Sequence, residues 1–433
     1  MPSTARPVVL DLFSGAGGFS EGFRQAGFHS LAATDIDPSA GATYALNHSK
    51  HGTEFILGDI ADPAIKERIY AAVGKRELDA VIGGPPCQGF SQVRNHARLI
   101  DDPRNVLYRH YVSIIRELQP RTFVMENVPG LENIGGGSVR KQILEDLQQD
   151  GAYRVESRVV DAAAFGVPQS RLRILFIGVR SDLNVEPEFP ESPVSGGLPV
   201  LERRPLKKGW SYRHRESPET VRPLATLLDP EADKLVTVEQ AIGDLEWLRP
   251  SQRLVRKPSN EAVEYQDGPS SAYQSARRMG STALYNADVP SIREDTVVRL
   301  AGIPQGGNFR DLSAALSARY LTGKKWGPEL GRASLSRKYF FAYRRLHPQM
   351  VSWTLNTKAD CVFHYDGTRA LTVREFARLH SFDDSYHFLA GDRHSRYRQV
   401  GNAVPPLLAR AIGRTIAKIL AAAKQPVGSA VSG

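Results

Sequence analysis

The chain has 433 residues, of which 24% are charged and 41% hydrophobic, a composition typical of soluble globular proteins with about two or three domains. No segment approaches the roughly 20 apolar residues of a membrane helix, and the N-terminal residues lack the apolar core of a signal peptide. The net charge of +9 and the pI near 9.5 permit a polyanionic partner without requiring one.

The cysteine content narrows the classes of protein further. Two cysteines, Cys87 and Cys361, are too few for a disulfide scaffold and favour a reducing compartment, so we expect a cytoplasmic protein. No CxxC or HExxH spacing is present, and no metal site is predicted.

The N-terminal residues predict a nucleotide-binding crossover. A strand over 8–13 is followed by the turn Ser14-Gly15-Ala16-Gly17-Gly18 and by a helix over 19–26. This order is typical of nucleotide-binding α/β domains, in which glycines let the backbone approach the ligand. Dinucleotide enzymes carry GxGxxG, whereas here the third glycine comes early and Ser20 occupies the last position. The pattern therefore predicts a nucleoside ligand without phosphates.

Two acids follow the next predicted strands. The strand over 30–34 ends at Asp35, 20 residues after Gly15, and about this spacing separates a glycine turn from the acid that binds ribose hydroxyls. The strand over 54–57 precedes Asp59. Either acid alone could be a helix N-cap, but acids at successive strand ends favour a ligand site.

The most informative segment surrounds Cys87. An apolar strand over 78–82 is stopped by two glycines and two prolines, and Cys87 follows directly. A single cysteine is most often a small buried apolar residue. A second apolar strand over 123–128, however, contains Glu126. Because ligands bind beyond the carboxyl ends of parallel strands, we expect a nucleophile and a carboxylic acid at the same edge of an open sheet.

The residues after Cys87, over 91–104, predict a mobile basic loop. Its basic residues are Arg94, His96, Arg98 and Arg104. Further along, Arg171 and Arg173 lead into a strand over 174–179, where side chains separated by one residue point to the same side. A surface ion pair is the alternative for these two arginines. Helices are predicted over 105–118 and 139–147.

Near Pro187 the composition becomes rich in Pro, Arg and Glu, and the alternation of strands and helices stops. We expect a second, irregular domain of about 160 residues from there. Its later part, after a loop over 306–310, mixes basic with aromatic residues, which suits a nucleic-acid surface. A solvated face over a small core is the alternative. The basic residues are Arg310, Lys324, Lys325, Arg332, Arg337, Lys338, Arg344 and Arg345.

The alternation of strands and helices resumes late in the chain. Thr372 is a predicted helix N-cap, with Glu375 three residues later as in a capping box. A final amphipathic helix over 407–420 is expected to return to the first domain.

In their order along the chain, these motifs resemble the DNA (cytosine-5)-methyltransferases of bacterial restriction-modification systems. The resemblance covers nearly the whole chain and rests on DLFSGAGG, Asp35, GDI, GGPPCQGFS, MENV, QSRLR, TVREFARL and QVGNAVPP. Two departures fall in the late motif, where His380 replaces a common glutamine and Asp383 a common proline. We expect both at a structural helix end, without an effect on chemistry.

The resemblance implies an α/β fold, with a Rossmann-like S-adenosylmethionine-dependent methyltransferase domain and a smaller irregular target-recognition domain. The catalytic domain would span residues 1–186 and the target-recognition domain residues 187–368. Residues 369–424 would return to the catalytic domain, and residues 425–433 would form a frayed tail.

The resemblance also implies a mechanism. Cytosine carbon 5 is a weak nucleophile, and a Cys87 thiolate that adds at carbon 6 would make it enamine-like. Glu126 would protonate or hydrogen-bond ring nitrogen 3, while Arg171 and Arg173 would hold the cytosine oxygen. The target cannot be reached inside a duplex, so the base must flip out, and the loop over 91–104 would close over it.

The implied methyl donor is S-adenosylmethionine, and no metal is implied. Its site would comprise Phe13, Ser14, Gly15, Gly17, Gly18, Asp35, Ile36, Asp59, Ile60, Pro86, Leu107 and Asn402. The implied partner is double-stranded DNA, with a restriction endonuclease acting separately, and we expect a monomer away from membranes. DNA contacts are assigned to Arg94, Arg98, Arg310, Lys324, Lys325 and Lys338.

Three other functions are compatible with parts of the sequence. A cytosine-5 methyltransferase acting on tRNA shares the fold and the cysteine chemistry, but such proteins usually have a short recognition region, unlike the long insertion over 187–350. A DNA-binding protein with an inactive site would lack a catalytic residue. This sequence has all four that the resemblance implies: Cys87, Glu126, Arg171 and Arg173. An NAD oxidoreductase is disfavoured by the missing GxGxxG pattern.

Overall fold

The computed structural model describes residues 6–86, 106–132, 134–192, 203–206, 209–212, 235–249, 260–316, 343–357 and 362–423. The chain folds into two compact units. The first unit comprises Met1–Ala162, Leu172–Glu191 and Ala403–Gly433, and the second comprises Ala163–Arg171 and Ser192–Asn402.

A seven-stranded sheet forms the core of the first unit. Its strands are β1 (Val8–Leu12), β2 (His29–Asp35), β3 (Glu54–Leu57), β4 (Ala80–Gly83), β5 (Thr122–Asn127), β6 (Tyr153–Asp161) and β7 (Leu172–Arg180). They lie in the order β3-β2-β1-β4-β5-β7-β6. Strands β1 to β5 are mutually parallel, whereas β7 runs antiparallel to both of its neighbours. The predicted α/β class is confirmed, and the sheet is mixed.

Helices connect the parallel strands. They are α1 (Gly18–Gln25), α2 (Pro38–His48), α3 (Pro63–Val73), α4 (Val106–Leu118) and α5 (Ser138–Gln148). Two of them begin with an aspartate followed by proline. The Asp37 side chain accepts hydrogen bonds from the backbone of Ser39 and Ala40, so it caps the N-terminus of α2. Strands β1 and β4 are almost wholly buried, as parallel strands covered by helices on both faces must be.

The second unit is less regular. Its described elements are β8 (Arg203–Leu206), β9 (Gly209–Tyr212), α6 (Val238–Ile242), α7 (Ala272–Arg278), α8 (Glu294–Ala301), β10 (Arg344–Arg345), β11 (Val362–Phe363), α9 (Val373–Leu379) and α10 (Arg393–Asn402). One of the apolar clusters among its described residues consists of Ile303, Phe309 and Leu312.

Buried ion pairs surround α9 in this unit. The predicted capping box is confirmed, because Thr372 and Glu375 exchange side-chain and backbone hydrogen bonds. Arg378 pairs with Asp244 and with Asp384, each at 2.6 Å, and all three side chains are fully buried. Removing one member of such a group leaves an uncompensated buried charge, which costs about 3–5 kcal/mol. Helix α9 is therefore held by buried charge pairs as well as by buried apolar residues such as Phe376 and Leu379.

The departures at His380 and Asp383 lie where we expected them. His380 is the C-cap of α9, and Asp383 forms an ion pair with Arg277 at 2.8 Å. Both residues serve the local structure of the second unit.

The two units divide the chain at other points than the predicted domains. Residues 163–171 belong to the second unit because the Gln169 side chain bonds there, accepting from the Leu355 backbone at 2.9 Å and donating to the Leu379 carbonyl at 3.2 Å. Residues 369–402 also belong to the second unit. The predicted functional limits at 186, 368 and 424 stay predictions.

The last helix, α11 (Pro406–Ala422), packs against α1. Glycines make the close crossing possible. A Cβ atom added at Gly22 would collide with Ala409, and one added at Gly413 would lie 2.8 Å from the Ala26 Cβ. Among the helices that the structure describes, none has the length and apolar character needed to cross a membrane.

Candidate active site

The candidate site lies at the carboxyl ends of the parallel strands in the first unit. Strand β1 is flanked by β2 on one side and β4 on the other, so the order of the strands reverses at this point. In open α/β sheets, ligands bind outside the carboxyl ends of the strands at such a reversal. The predicted cofactor and catalytic segments of this unit follow from these strand ends.

The glycine turn, residues 14–18, leads from β1 into α1. Gly15 has a φ of 52° and Gly17 a φ of 90°, a left-handed conformation that favours glycine. The Ser14 amide donates to the Thr34 carbonyl at 3.0 Å, and the Gly17 amide donates to the Ser14 carbonyl at 2.9 Å. A Cβ atom added at Gly15 would meet no atom within 4 Å. A ligand can therefore approach the backbone here.

Asp35 lies opposite the glycine turn, at the end of β2. Its Oδ2 accepts a hydrogen bond from the Gly15 amide at 2.8 Å, and its Oδ1 accepts one from the Asp37 amide at 2.9 Å. Burial raises the pKa of Asp35 above its ordinary value, and the backbone hydrogen bonds offset part of that effect. Each carboxylate oxygen can accept a second hydrogen bond, so Asp35 can also bind the hydroxyls of a sugar.

Apolar side chains stand beside these polar groups. Ile36 is 64% exposed and Leu57 is 46% exposed. Asp59 is exposed and accepts a hydrogen bond from the Ala61 amide, whereas Ile60 is buried. Leu57 is absent from the predicted site; its exposure at a strand end distinguishes it only in the structure. This surface suits a flat aromatic group next to a sugar.

The β4 end is held by the MENV segment. Asn127 is buried, and its Nδ2 donates to the Pro85 carbonyl at 3.0 Å. Its Oδ1 accepts from the Val128 amide at 2.8 Å. Pro85 precedes Cys87 by two residues, so Asn127 fixes the backbone that leads to the predicted nucleophile. This role was not predicted, although Asn127 stands directly after Glu126 in the motif.

Glu126 and Arg173 form an ion pair next to this loop. The Glu126 Oε1 lies 2.5 Å from the Arg173 Nε, and the two side chains are 13% and 11% exposed. The Arg173 Nη1 also donates to the Leu172 carbonyl at 2.6 Å. A Cβ atom added at Gly84 would lie 3.1 Å from the Glu126 Oε2. The carboxylate is thus held against the β4 end by a charged partner and by close backbone.

Arg171 has other partners than Arg173. Its guanidinium is buried in the second unit, where it donates to the Leu355 carbonyl at 3.1 Å and to the Gly401 carbonyl at 2.7 Å. Strand β7 begins at Leu172, so Arg171 precedes the strand and the alternation of strand side chains does not govern its direction. Of these two arginines, it is Arg173 that the structure pairs with Glu126.

Four more of the predicted residues lie in the part of the chain that the structure describes. Leu107 is half-buried in α4 of the first unit, Pro86 is exposed, and Asn402 ends α10 in the second unit. Arg310 lies in a short 3₁₀ turn over Phe309–Asp311, but its side chain is not among those described. Outside the described residues lie Cys87, Arg94, Arg98, Lys324, Lys325 and Lys338.

Arg344 and Arg345 differ from the expected basic surface. The Arg344 guanidinium lies over the Trp353 ring at 5.3 Å and is buried. Arg345 donates to the Tyr365 carbonyl at 2.9 Å and to the Ile303 carbonyl at 2.7 Å. Since Arg344 is buried against Trp353 and the Arg345 donors are engaged inside the second unit, these two arginines serve its structure.

Comparisons with known proteins agree with this fold. The chain matches the family model "C-5 cytosine-specific DNA methylase" over residues 8–418. It is 33% identical over 413 residues to the type II methyltransferase M1.HphI of Haemophilus parahaemolyticus, covering 95% of this chain and 87% of that protein. It is 34% identical over 427 residues to the type II methyltransferase M.XorII of Xanthomonas oryzae pv. oryzae, covering 96% and 85%.

A solved structure shares the fold. The crystal structure of a DNA modification methyltransferase encoded within a prophage of E. coli superposes with a TM-score of 0.66 at 24% identity, over 96% of this chain and 99% of that one. The family match and the fold define a methyltransferase of the α/β class. The chain belongs to the C-5 cytosine-specific DNA methylase family. The predicted enzyme class, DNA (cytosine-5-)-methyltransferase, is thereby confirmed.

Proposed function

We propose that this enzyme transfers a methyl group from S-adenosylmethionine to carbon 5 of a cytosine flipped out of duplex DNA, through a covalent Cys87 adduct. The observation that carries the proposal is the Glu126–Arg173 pair at 2.5 Å, next to the Asn127-held backbone that leads to Cys87. A carboxyl group and a nucleophilic thiol at one strand edge are the two groups that the reaction requires.

In this proposal the Cys87 thiolate adds to cytosine carbon 6, and a carbon–sulfur bond forms. Glu126 hydrogen-bonds or protonates ring nitrogen 3, which accepts the displaced electron density. Arg173 holds the Glu126 carboxylate and the cytosine oxygen. After methylation, a water molecule takes the carbon 5 proton, the carbon–sulfur bond breaks, and the thiolate leaves.

Arg171 has a supporting role in the same proposal. Its buried guanidinium ties Leu355 to Gly401 in the QVGNAVPP motif. A side chain so engaged positions backbone, and we assign the contact with the cytosine oxygen to Arg173. The roles that the resemblance assigns to Arg171 and Arg173 together are thereby divided between them.

The described residues fit S-adenosylmethionine. Asp35 would hold the ribose hydroxyls, the open backbone at Gly15 would admit the donor, and the exposed Ile36 would pack on adenine. Phe13, Ser14, Gly17, Gly18, Asp59, Ile60, Pro86, Leu107 and Asn402 would complete the site. When bound, the donor supplies a methyl group on a sulfonium sulfur. The departure from GxGxxG agrees with a ligand that carries no phosphate.

We propose further that residues 187–368 select the DNA sequence and that the loop over 91–104 closes on the flipped base. Both named relatives are type II methyltransferases. By this likeness the enzyme would protect host DNA in a restriction-modification system, as a monomer in the bacterial cytosol, with a restriction endonuclease acting separately.

The proposal is tested by transfer of tritiated methyl from S-adenosylmethionine to duplex DNA and, in parallel, to tRNA. We expect label in duplex DNA alone, at cytosines that bisulfite sequencing then places in one short sequence. A plasmid methylated in this way should resist an endonuclease that cuts the same sequence. Label in tRNA alone would overturn the DNA substrate and support the tRNA methyltransferase. If duplex DNA binds saturably but neither duplex DNA nor tRNA is labelled, the interpretation as an inactive DNA-binding protein would be supported.

A further inference from the structure

Two aromatic residues on α2 bond to the segment that leads from β1 into α1: His48 to the glycine turn and Tyr44 to the first turn of α1. Tyr44 and His48 stand four residues apart on this helix, and they are 0% and 1% exposed. Their ring centroids are 4.5 Å apart. Neither residue belongs to a motif that the sequence analysis used, and neither has a part in the chemistry proposed above.

His48 reaches the turn directly. Its ring hydrogen-bonds to the backbone of Gly17, and burial lowers the pKa of His48 to about 4, so the ring is neutral at physiological pH. Gly17 has a φ of 90° and is the N-cap of α1. Its carbonyl also accepts from the Glu21 amide at 2.8 Å. The left-handed peptide that ends the turn is therefore held by α1 and by α2 together.

Tyr44 reaches the first turn of α1 through a chain of hydroxyl groups. Its Oη lies 2.7 Å from the Ser20 Oγ, and the Ser20 hydroxyl donates to the Asp11 Oδ2 at 2.6 Å. All three side chains are almost completely buried. These hydrogen bonds link α2 to β1 and α1, the strand before the glycine turn and the helix after it.

We propose that Tyr44 and His48 are positioning residues for the methyl donor, because they hold the glycine turn in the shape that binds its nucleoside. Glycines are free to adopt many backbone conformations. A turn that must be ordered by its ligand binds it more weakly than one ordered in advance. The inference rests on the proposed S-adenosylmethionine site. The alternative is that these are ordinary hydrogen-bonded core residues which only stabilise the fold.

The Tyr44→Phe variant separates the two possibilities, with Tyr153→Phe as its matched control. Tyr153 is equally buried in the first unit, and its hydroxyl donates to the Pro120 carbonyl at 2.8 Å, away from the turn. We expect Tyr44→Phe to raise the Kd of S-adenosylhomocysteine in calorimetry, and the KM of the donor, about 5- to 10-fold. The kcat at saturating donor and the Kd of duplex DNA should stay unchanged. Tyr153→Phe should lower stability without changing either constant for the donor.

His48 supplies an independent test. His48→Phe keeps an aromatic ring beside Tyr44 but removes the bond to Gly17, and it should weaken binding of S-adenosylhomocysteine to a similar extent. His48→Asn and His48→Gln can each present an amide near one ring nitrogen, and one of them should restore most of the affinity. If the donor constants of Tyr44→Phe and His48→Phe move no more than those of Tyr153→Phe, the inference is wrong.

Asp35→Ala distinguishes failure of the inference from failure of the proposed site. If Asp35→Ala leaves the Kd of S-adenosylhomocysteine unchanged, the donor binds elsewhere and the proposed site is wrong as well. If Asp35→Ala weakens binding while the Tyr44 and His48 variants do not, the site stands and only the positioning role fails.

Discussion

Glu126 on β5 and Arg173 on the antiparallel strand β7 form an ion pair, with 2.5 Å between the Glu126 Oε1 and the Arg173 Nε. Arg173 lies two residues before Leu175, the ladder partner of Glu126. Strand β7 runs antiparallel to both of its neighbours. Its reversed direction places Arg173, from its first residues, next to Glu126, from the last residues of β5. The arginine therefore arrives at the edge where the parallel strands end.

The first prediction concerns this pair. Glu126→Gln keeps the size of the side chain but removes its acidic group and its charge pairing with Arg173. We expect kcat to fall about 10²- to 10⁴-fold, the range of general acid catalysis, with little change in DNA affinity. Single-turnover methyl transfer measures this. Glu156→Gln, on an exposed position of β6, is the control. A variant within a few fold of the wild type would exclude Glu126 from the chemistry.

The second prediction concerns Cys87. Cys87→Ser should abolish methyl transfer while duplex DNA still binds, since an alkoxide forms far less readily than a thiolate. With S-adenosylmethionine present, wild-type enzyme should form a denaturation-resistant adduct with duplex DNA that carries 5-fluorocytosine at the target, because fluorine cannot leave as a cation. Cys361→Ser should be nearly silent in both measurements. Turnover by the serine variant, or no adduct with the wild type, would contradict the covalent mechanism.

The third prediction concerns the Asn127 side chain. Asn127→Ala removes the donor to the Pro85 carbonyl and frees the backbone before Cys87. We expect slower adduct formation with 5-fluorocytosine DNA, by about 10-fold or more, since small displacements of a reacting group reduce rates strongly. Asn286→Ala deletes a similar buried amide, which bonds to Phe388 in the second unit. Equal adduct rates for the two variants would show that Asn127 only stabilises the fold.

The fourth prediction separates sequence choice from general DNA affinity. Arg310→Ala should lose about 1–3 kcal/mol of discrimination between cognate and one-mismatch duplexes if Arg310 reads a guanine. Lys325→Ala should weaken both duplexes alike and reduce the salt dependence by about 0.9 per lost phosphate contact. Binding measured over a salt series tests both. Equal losses on the two duplexes would show that Arg310 is not a reader. If neither variant changes affinity, the basic–aromatic stretch is a solvated face.

The fifth prediction concerns pH and Asp11. Burial raises the pKa of Asp11 to about 7, from an ordinary value of 3.8, and its Oδ1 has no hydrogen-bond partner among the described residues. The folded protein therefore binds this proton more tightly than the unfolded chain does. This proton binding contributes to the free energy of unfolding in full below about pH 4, and the contribution is lost as pH rises through about 7.

Asp11→Asn stays neutral throughout that range, so its free energy of unfolding should rise relative to the wild type by roughly 3–4 kcal/mol between about pH 4 and about pH 8. The other groups that face or act on this site are Ser20, Asp35, Tyr44 and Tyr111. They are common to both proteins. Urea unfolding at a series of pH values measures the difference. Parallel curves would show that Asp11 remains ionised in the fold.

The sequence predicts most of the first unit because continuous apolar runs bounded by glycine and proline mark β1, β4 and β5. Strand β6 was not predicted. It lies at the edge of the sheet, and Arg154, Glu156 and Arg158 interrupt its apolar residues. An edge strand tolerates these charges because its side chains are partly solvated.

Parts of the candidate site follow equally well from the sequence. Glu126 and Asp35 stand at strand ends, and the topology of a parallel sheet brings strand ends together. The partners of Asn127 and Arg171 could not be predicted in this way. The Asn127 partner is a backbone carbonyl 42 residues away, and the Arg171 partners are carbonyls 184 and 230 residues away. Every residue has a carbonyl, so the sequence does not indicate which one a side chain will bond.

The crossing of α1 and α11 at Gly22 and Gly413 has a consequence for biosynthesis. Helix α1 is translated before the second unit, but the helix that covers it is translated after that unit. Domains generally fold in order from the N-terminus as they emerge. Here the sheet that carries Asp35 and Glu126 must wait, partly uncovered, until the second unit has been made. A message cut short before α11 would yield a protein with every catalytic motif but without the helix that closes its first domain.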